Sequence, residues 1–576
     1  MTQELPREVT KPVWDITPGY DFDPDVDFKE LSSWFMDGTH SVPPFTPFFS
    51  WLWNKYCGHG MHYYCAVISL PCNKGWPIRT YHGHDYPGFY VVRDPEEIKR
   101  REVKFRERMR PYIEDYDGIW EKHKQELMAL YKPLKEFDYE KAENYELFWI
   151  LHDTIRAYIR QFEIHFLGMI TAETAWLLLE QLCEEMFGIN DQSAEFQKLM
   201  IGFDNEMFRS DRDLWQFAQD AMKAGLGDIF LTSEPKADVV IPKLEQTDAG
   251  RAWVKKLREW LDEHGWRSQR LAEINEPTWL EDPSPAIMYV KGYVEKGGGF
   301  DLEVTRQRLA EEREKAVAEI MARVPEDKKE WFLALIRLAQ NAGSYSEGHT
   351  IYCEFYINAL VRRCCLGIGR RLVQAGTIDK PEDTFYLIPD EIERVIDVPE
   401  YHKMQHLVNR RRKDWEEWCK ETFEGRAPPV LTTRASLEEA VMQDLIPAFD
   451  PIAIKVVVGA MPNVRPELKA DLYGVSGSQG VAEGTARVVM SYDDLGQVKP
   501  GDILVAPATY PSWTPVFARI RGAVVDRGGT LSHACIVGRE FGIPVVINTF
   551  EGTRKIKNGM KIKVDGTEGT VYILEQ

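Results

Sequence analysis

The 576-residue sequence has no run of the ~18 uninterrupted apolar residues that a membrane-spanning helix needs, so neither a span nor a membrane partner is expected. It opens on MTQELPREVTKPVWDITPGYDFDPDVDF, acidic and proline-rich, without the basic and apolar parts of a secretory leader. Its nine cysteines form no Cys-x-x-Cys pair, although Cys364 and Cys365 are adjacent. Cys57, Cys65 and Cys72 gather near His59 and His62 at spacings that fit no standard zinc pattern, so no metal is expected there. An odd number of thiols without a leader fits the reducing cytoplasm. Basic residues are the minority, 71 Lys and Arg against 91 Asp and Glu, and the net charge of −20 repels nucleic acid on average. No phosphate-binding P-loop, internal repeat or low-complexity tract is present.

What the sequence does have is apolar material for several cores. It is 44% hydrophobic, 28% charged and 12% aromatic, and at ~150 residues per domain its length allows three or four domains. Residues 1–95 are rich in Trp, Tyr, Pro, Gly and His, and the alternation His62-Tyr63-Tyr64-Cys65-Ala66-Val67 suggests a strand. Residues 96–425 are helical in texture. NYELFWILHDTIRAYIRQFEIHFLGMI and TAWLLLEQLCEEMFG repeat apolar residues at the helical period. Residues 426–472 begin Arg-Ala-Pro-Pro, lose that period and read as a linker. From 473 to 576 the runs ARVVM, DILVA, GAVVD, PVVIN, KIKVDG and TVYIL alternate with glycine turns, as in a compact α/β domain. The expected fold is therefore multidomain, a mostly α-helical body followed by an α/β domain.

Chemistry concentrates in RGGTLSHACIVGREFGIPVVIN, residues 527–548. GAVVD before it reads as a buried strand, Gly528-Gly529 as a turn, and Ser532 as the cap of a helix that begins at His533. A histidine there lies beside free backbone N–H groups suited to a phosphoryl group. The same helix terminus disfavours imidazolium and leaves a lone pair free to attack phosphorus. Arg527 and Arg539 are placed to neutralise phosphoryl oxygens, whereas Cys535 reads as a packed thiol. On spacing alone His533 is as well explained as an ordinary helix-cap residue.

GGTLSHACIVGREFGIPVV resembles the phosphohistidine signature of the swivelling domain in phosphoenolpyruvate synthase, pyruvate phosphate dikinase and their relatives. GVSGSQGVAEGTARVV (474–489), GDILVAPATYPSWTPVF (501–517) and NGMKIKVDGTEGTVYIL (558–574) resemble the rest of that domain in order. The resemblance implies that His533 is transiently phosphorylated, with Thr530 and Ser532 holding the ring or the phosphoryl oxygens. The helical body in front resembles the arrangement in rifampicin phosphotransferase and in the larger subunit of phenylphosphate synthase. GRRLVQAGTIDKPEDTFYLIPDEI (369–392) is similar to the helix–turn–strand that ends their substrate domain. No ATP-grasp segment is recognisable, and no phosphoenolpyruvate barrel is expected after Gln576. The resemblance thus implies the His-bearing subunit of a dikinase, with ATP and Mg2+ bound on an ATP-grasp partner subunit. In that family the histidine attacks ATP, AMP and phosphate leave, and the phosphoryl group passes to an acceptor, here a phenolic hydroxyl. A kinase subunit for a rifamycin-like or other small alcohol is the neighbouring reading, and a phosphocarrier acting on a protein partner is the alternative of another class.

A phenol has a pKa of about 10, so its attack calls for a base or a cation. Within AGSYSEGHTIYCEFYINALVRR (342–363), helical spacing groups Tyr345, His349 and Tyr352, and separates Glu347 from Glu354 by two turns. His349, Glu347, Tyr345 and Glu354 are therefore the first candidates for the acceptor site. Others are His152, Arg156, Arg160, Glu163 and His165 along one helix, and His59, His62, His82 and His84 near the N-terminus.

Overall fold

A computed structural model describes residues 37, 40–71, 73–88, 92, 94–297, 301–423, 465–510, 513–529 and 532–575. The first part is a helical body. Its core is α1 (Pro47–Tyr64), a hairpin β1 (Ile78–Tyr81) and β2 (His84–Pro87), α2 (Pro95–Glu136) and α3 (Asn144–Phe187). Further along lie α4 (Glu206–Lys223), α5 (Ser284–Lys296), α6 (Leu302–Met321), α7 (Lys329–His349) and α8 (Tyr356–Gln374). A π-helical segment, Thr350–Phe355, joins α7 to α8 without a break.

The strand expected at 62–67 is instead the end of α1 and a short π-helical turn, Cys65–Ser69. Pro47 starts α1 in its first turn, and the helix is buried on most sides among Tyr158, Phe162 and other aromatics. A helix apolar all round shows no amphipathic period, which is why its local alternation misleads. Gly60 permits the close approach: a Cβ there would lie 2.7 Å from the Phe162 carbonyl oxygen. The helix–turn–strand expected over 369–392 is also corrected. α8 runs to Gln374, Pro381–Tyr386 form a 3-10 turn, and Pro389–Val395 are helical, so the FYLI run caps helices. Its residues Phe385 and Leu387 are buried by packing into the body, and burial, not pairing, accounts for their apolar character.

α3 is held at its start by the reciprocal Glu143–Glu146 capping box and ends at Gly188 in the left-handed conformation. It is long and apolar enough to cross a membrane, but 83% of its most apolar window is buried inside the protein. It is the central core helix.

The second part is an α/β unit with an eight-stranded sheet. Its strands are β3 (Leu472–Tyr473), β4 (Val475–Ser478), β5 (Val481–Val488), β6 (Ile503–Ala506), β7 (Gly522–Val525), β8 (Val545–Ile547), β9 (Lys561–Asp565) and β10 (Thr570–Glu575). They are ordered β3-β10-β9-β5-β6-β7-β8-β4, with β5 to β8 parallel in the centre and antiparallel strands outside. α9 (Thr514–Phe517) connects β6 to β7, and α10 (His533–Phe541) connects β7 to β8. Each of the six apolar runs of 473–576 expected to be a strand falls in one. The unit begins before 473, because Arg465 pairs with Glu568 at 2.6 Å and accepts the Tyr473 hydroxyl on its carbonyl. The rest of the expected linker, 424–464, lies outside the described residues.

Candidate phosphohistidine site and acceptor cavity

His533 is the first residue of α10 and follows the carboxyl end of β7. Thr509 follows the carboxyl end of the adjacent parallel strand β6, and crossover connections of this kind open their sites at that edge. The loop between β7 and α10 is drawn tight. Gly528 takes φ +148°, where a Cβ would meet the Ser532 hydroxyl, and its N–H donates to Asn548 Oδ1 at 3.0 Å. Ser532 is the cap by position, in extended conformation, but its hydroxyl donates to Cys535 Sγ at 3.5 Å. Cys535 is fully buried in the domain core, as a packed thiol.

Two hydroxyls hold the His533 ring. Thr509 Oγ1 lies 3.0 Å from Nδ1, and Thr514 Oγ1 lies 3.0 Å from Nε2. The ring of Phe517 meets it edge-on at 5.5 Å. Burial pushes the imidazole down to about 3, so the ring is neutral at pH 7 and offers a lone pair. A hydroxyl both donates and accepts, so either tautomer is satisfied. Neither threonine was singled out from sequence, although both sit in the 501–517 run; the signal was threonine in the loop after a parallel strand.

The other motif residues divide. Arg527 is half-buried near Tyr86 and Asp37 of the body; desolvation lowers its guanidinium, opposed by Asp526, Tyr86 and Asp37. Arg539 lies more than a turn along α10 from His533 and donates to the Gly477 carbonyl at 3.0 Å, an internal tie of the domain. Thr530 lies outside the described residues.

The α/β unit rests on the helical body through mixed contacts. Glu540 accepts the Gly202 N–H at 2.8 Å, Arg519 pairs with Glu295 at 3.1 Å, and Gln479 donates to the Gln192 carbonyl at 3.2 Å. The Tyr510 hydroxyl donates to the Val42 carbonyl at 3.0 Å, and Met288 of α5 enters the apolar cluster around Trp513 and Phe517. Thr514 is hydrogen-bonded to Tyr289 of α5 as well as to His533. Beside it lies a small hollow of about 50 Å³ lined by Asp211, Arg306, Thr514 and Glu540 among others.

Arg306 also lines a cavity of about 770 Å³ in the body. Tyr116, Trp120, Phe203 and Tyr345 supply its aromatic surface, and Arg209, Arg313 and Arg337 join Arg306 on the charged side. The arginines are oriented by partners. Arg209 meets Asp204 at 3.1 Å, Arg337 meets Glu314 at 2.8 Å, and Arg313 donates to the Gly202 carbonyl at 2.8 Å.

Of the acceptor residues expected from sequence, Tyr345 lines this cavity. His349 and Glu354 are buried behind it, beside His165, and do not line the cavity. The side chain of Glu347 lies outside the described residues. The remaining candidates have structural partners. His59 pairs with Glu163 at 3.0 Å, Arg160 with Glu126 at 2.6 Å, His152 with Glu393 at 3.3 Å, and Arg156 with Asp153 at 3.2 Å. His82 stacks on Trp418, and His84 is buried against the Ser41 carbonyl and Thr422. His62 packs against Gly75, where a Cβ would collide with its ring. Cys57 and Cys65 are buried in the core around α1, and Cys72 lies outside the described residues.

Comparison with known proteins supports the same division. Residues 165–347 match the rifampicin phosphotransferase fourth domain, and residues 498–569 match the mobile domain of PEP-utilising enzymes. The chain is 29% identical over 421 residues to an uncharacterized phosphotransferase, YvkC, of Bacillus subtilis, covering 73% of this chain and 48% of that protein. It is 28% identical over 345 residues to the rifampicin phosphotransferase of Bacillus subtilis, covering 59% of this chain and 36% of that one. Over 106 residues it is 44% identical to the phosphoenolpyruvate synthase of Pyrococcus furiosus, covering 18% of this chain and 13% of that enzyme. The chain spans less than half the length of these relatives.

Proposed function

We propose that this chain, which belongs to the phosphohistidine family of PEP-utilising enzymes, carries a phosphoryl group on His533 and delivers it to the hydroxyl of an aromatic acceptor bound in the helical body. The observation that carries the reading is the neutral His533 ring, held between Thr509 and Thr514 at the face that meets the body. ATP and its Mg2+ belong to a separate ATP-grasp subunit in this reading.

The Nε2 lone pair attacks phosphorus of ATP, a P–N bond forms, and the P–O bond to AMP breaks. The ring then carries a pyrophosphoryl group, and water attacks its outer phosphorus, breaking the β–γ P–O bond to release inorganic phosphate and leave a phosphohistidine. Nε2 is the acceptor-side nitrogen, because its partner Thr514 lines the hollow that shares Arg306 with the large cavity. The acceptor oxygen then attacks phosphorus, the P–N bond breaks, and the hydroxyl proton goes to a base. Asp211, buried in the same hollow and surrounded by Arg267, Tyr289 and Tyr293, is placed for that task. His349 and Glu354 are not, being turned into the core. Arg306 offsets the charge of the transferring group.

The cavity volume bears on the acceptor. Pockets for drug-sized ligands run to about 300–1,000 Å³, and about 770 Å³ is far more than a single-ring phenol fills. The favoured acceptor is therefore a multi-ring aromatic hydroxyl compound, and a rifamycin-like molecule fits that class. The cavity also disfavours a pure phosphocarrier, which has no use for one.

The test supplies the chain with ATP, an ATP-grasp partner and a panel of aromatic hydroxyl compounds. An acid-labile, base-stable phosphate should form on the wild-type chain and on no His533→Ala chain, AMP should accumulate, and an aryl phosphate should follow. Transfer by His533→Ala at more than a trace overturns the reading. So does micromolar ATP binding by the isolated chain, for the separate subunit.

A further inference from the structure

We propose that His165, His349 and Glu354 form a binding site for a divalent transition-metal ion of the zinc class, inside the helical body and apart from the phosphohistidine. His165 comes from the middle of α3, His349 is the last residue of α7, and Glu354 lies in the π-helical segment after it. All three are buried, at 6%, 6% and 5% exposure. One ligand atom of each lies within 4.8 Å of the others.

The ring nitrogens are set for coordination. His349 Nδ1 lies 2.7 Å from the Tyr345 carbonyl oxygen, which only accepts, so Nδ1 carries the hydrogen. Its Nε2 therefore presents a lone pair toward Glu354 Oε1, 3.7 Å away. His165 Nδ1 stands the same 3.7 Å from that oxygen. These separations are too long for hydrogen bonds and leave room for an ion between the donors. Tethering the far nitrogen of a histidine to a backbone carbonyl is the usual outer support of a metal-binding imidazole.

The polar accounting points the same way. His165 Nδ1 and Glu354 Oε2 are buried with no hydrogen-bond partner. A buried carboxylate and imidazole left so are costly, and one divalent ion would satisfy both.

The backbone is shaped to the task. An α-helix would turn residue i+5 away from residue i, whereas a π-helical turn closes i onto i+5 and brings Glu354 beneath His349. Two nitrogens and one carboxylate suit zinc and its neighbours; calcium and magnesium prefer all-oxygen shells. The Tyr345 ring stacks on His349 at 4.8 Å and lines the large cavity, so the ion would brace one wall of it.

The experiment uses the full chain, stripped with chelator and titrated with Co2+ and Zn2+. We expect about one ion per chain, visible d–d bands with Co2+, and a rise in Tm with Zn2+ that His349→Gln and Glu354→Gln lose. X-ray absorption of the zinc-loaded wild type should show a nitrogen and oxygen shell at about 2.0–2.1 Å without sulfur. That measurement needs no variant to fold. Failure of the wild type to bind either ion stoichiometrically, equal binding by both variants, or a sulfur shell pointing to cysteine would each overturn the proposal.

Discussion

The two buried histidine centres are built on opposite plans. Around His533, the ring partners Thr509 and Thr514 come from its own domain, 24 and 19 residues earlier, one in the loop after β6 and one at the start of α9. Around His165 and His349, the partners come from helices separated by the whole of residues 188–328. The first ring is held by hydroxyls that can exchange donor and acceptor roles; the second pair is fixed by a carbonyl and by helix register. A carrier must bind, load and release, so weak reversible partners suit it. A fixed ligand must keep one tautomer.

The comparison breaks most sharply if the carrier is denied motion. In the docked arrangement His533 is buried, and Thr514 on its Nε2 side also bonds Tyr289 of the body, so in the carrier reading the α/β unit leaves the body to be charged. Cysteines introduced at Gln192 and Gln479, joined by a reversible crosslink, should stop multiple turnover and allow at most one discharge of a preloaded chain. Reductant should restore cycling, while metal binding at His165 and His349 stays unchanged throughout. Full-rate cycling in the locked state would end the swivelling account.

A gentler change sharpens it. Thr514→Val or Thr509→Val frees one side of the ring without touching its chemistry. Phosphoryl discharge, measured in single turnovers, should fall by about 10²-fold, the usual cost of losing a reacting group's alignment. Acceptor KM should hardly move, and Thr→Ser at either position should restore most of the rate. Loss of the hydroxyl should cost stability only about 1–3 kcal/mol.

The same contrast explains what sequence could and could not reveal. The α/β unit was legible because its site is written in two short runs, 501–517 and 527–548, whose strands alternate with glycine turns. Even there the threonines escaped notice, since only the pairing of β6 with β7 sets Thr509 beside His533. In the body, His349 and Glu354 were picked out, but as acceptor residues on an α-helical face. The π-helical segment changes that face and brings Glu354 beneath His349, with both side chains beside His165. Likewise α1 reads as a strand at 62–67 because its surroundings, not its own period, bury it. Such features depend on distant packing and leave little local trace.

The smallest expected effect concerns how firmly the carrier docks. Burial pushes Glu540 up from 4.5 to about 7, against the pull of the Gly202 and Phe203 N–H groups, Arg539 and Arg313. Three of those four groups, Gly202, Phe203 and Arg313, belong to the body that packs over Glu540, so undocking should relieve the burial and return the carboxyl toward its ordinary value. Between 4.5 and 7 the docked form then holds a proton that the undocked form has released. Docking must therefore weaken as pH rises through that window and level off above it. His533 acts with the opposite sign, because a ring pushed down to about 3 resists protonation, an effect that fades over about one pH unit above its ordinary value of 6.5. From pH 6.5 to 8 Glu540 alone weakens docking about fourfold and His533 offsets about twofold of it, so the docking constant should fall about twofold. The docked fraction can be followed by energy transfer between dyes on the two units. Glu540→Gln, neutral at every pH, should abolish the fall and leave only the small rise from His533; a fall that persists would assign the pH dependence to another group.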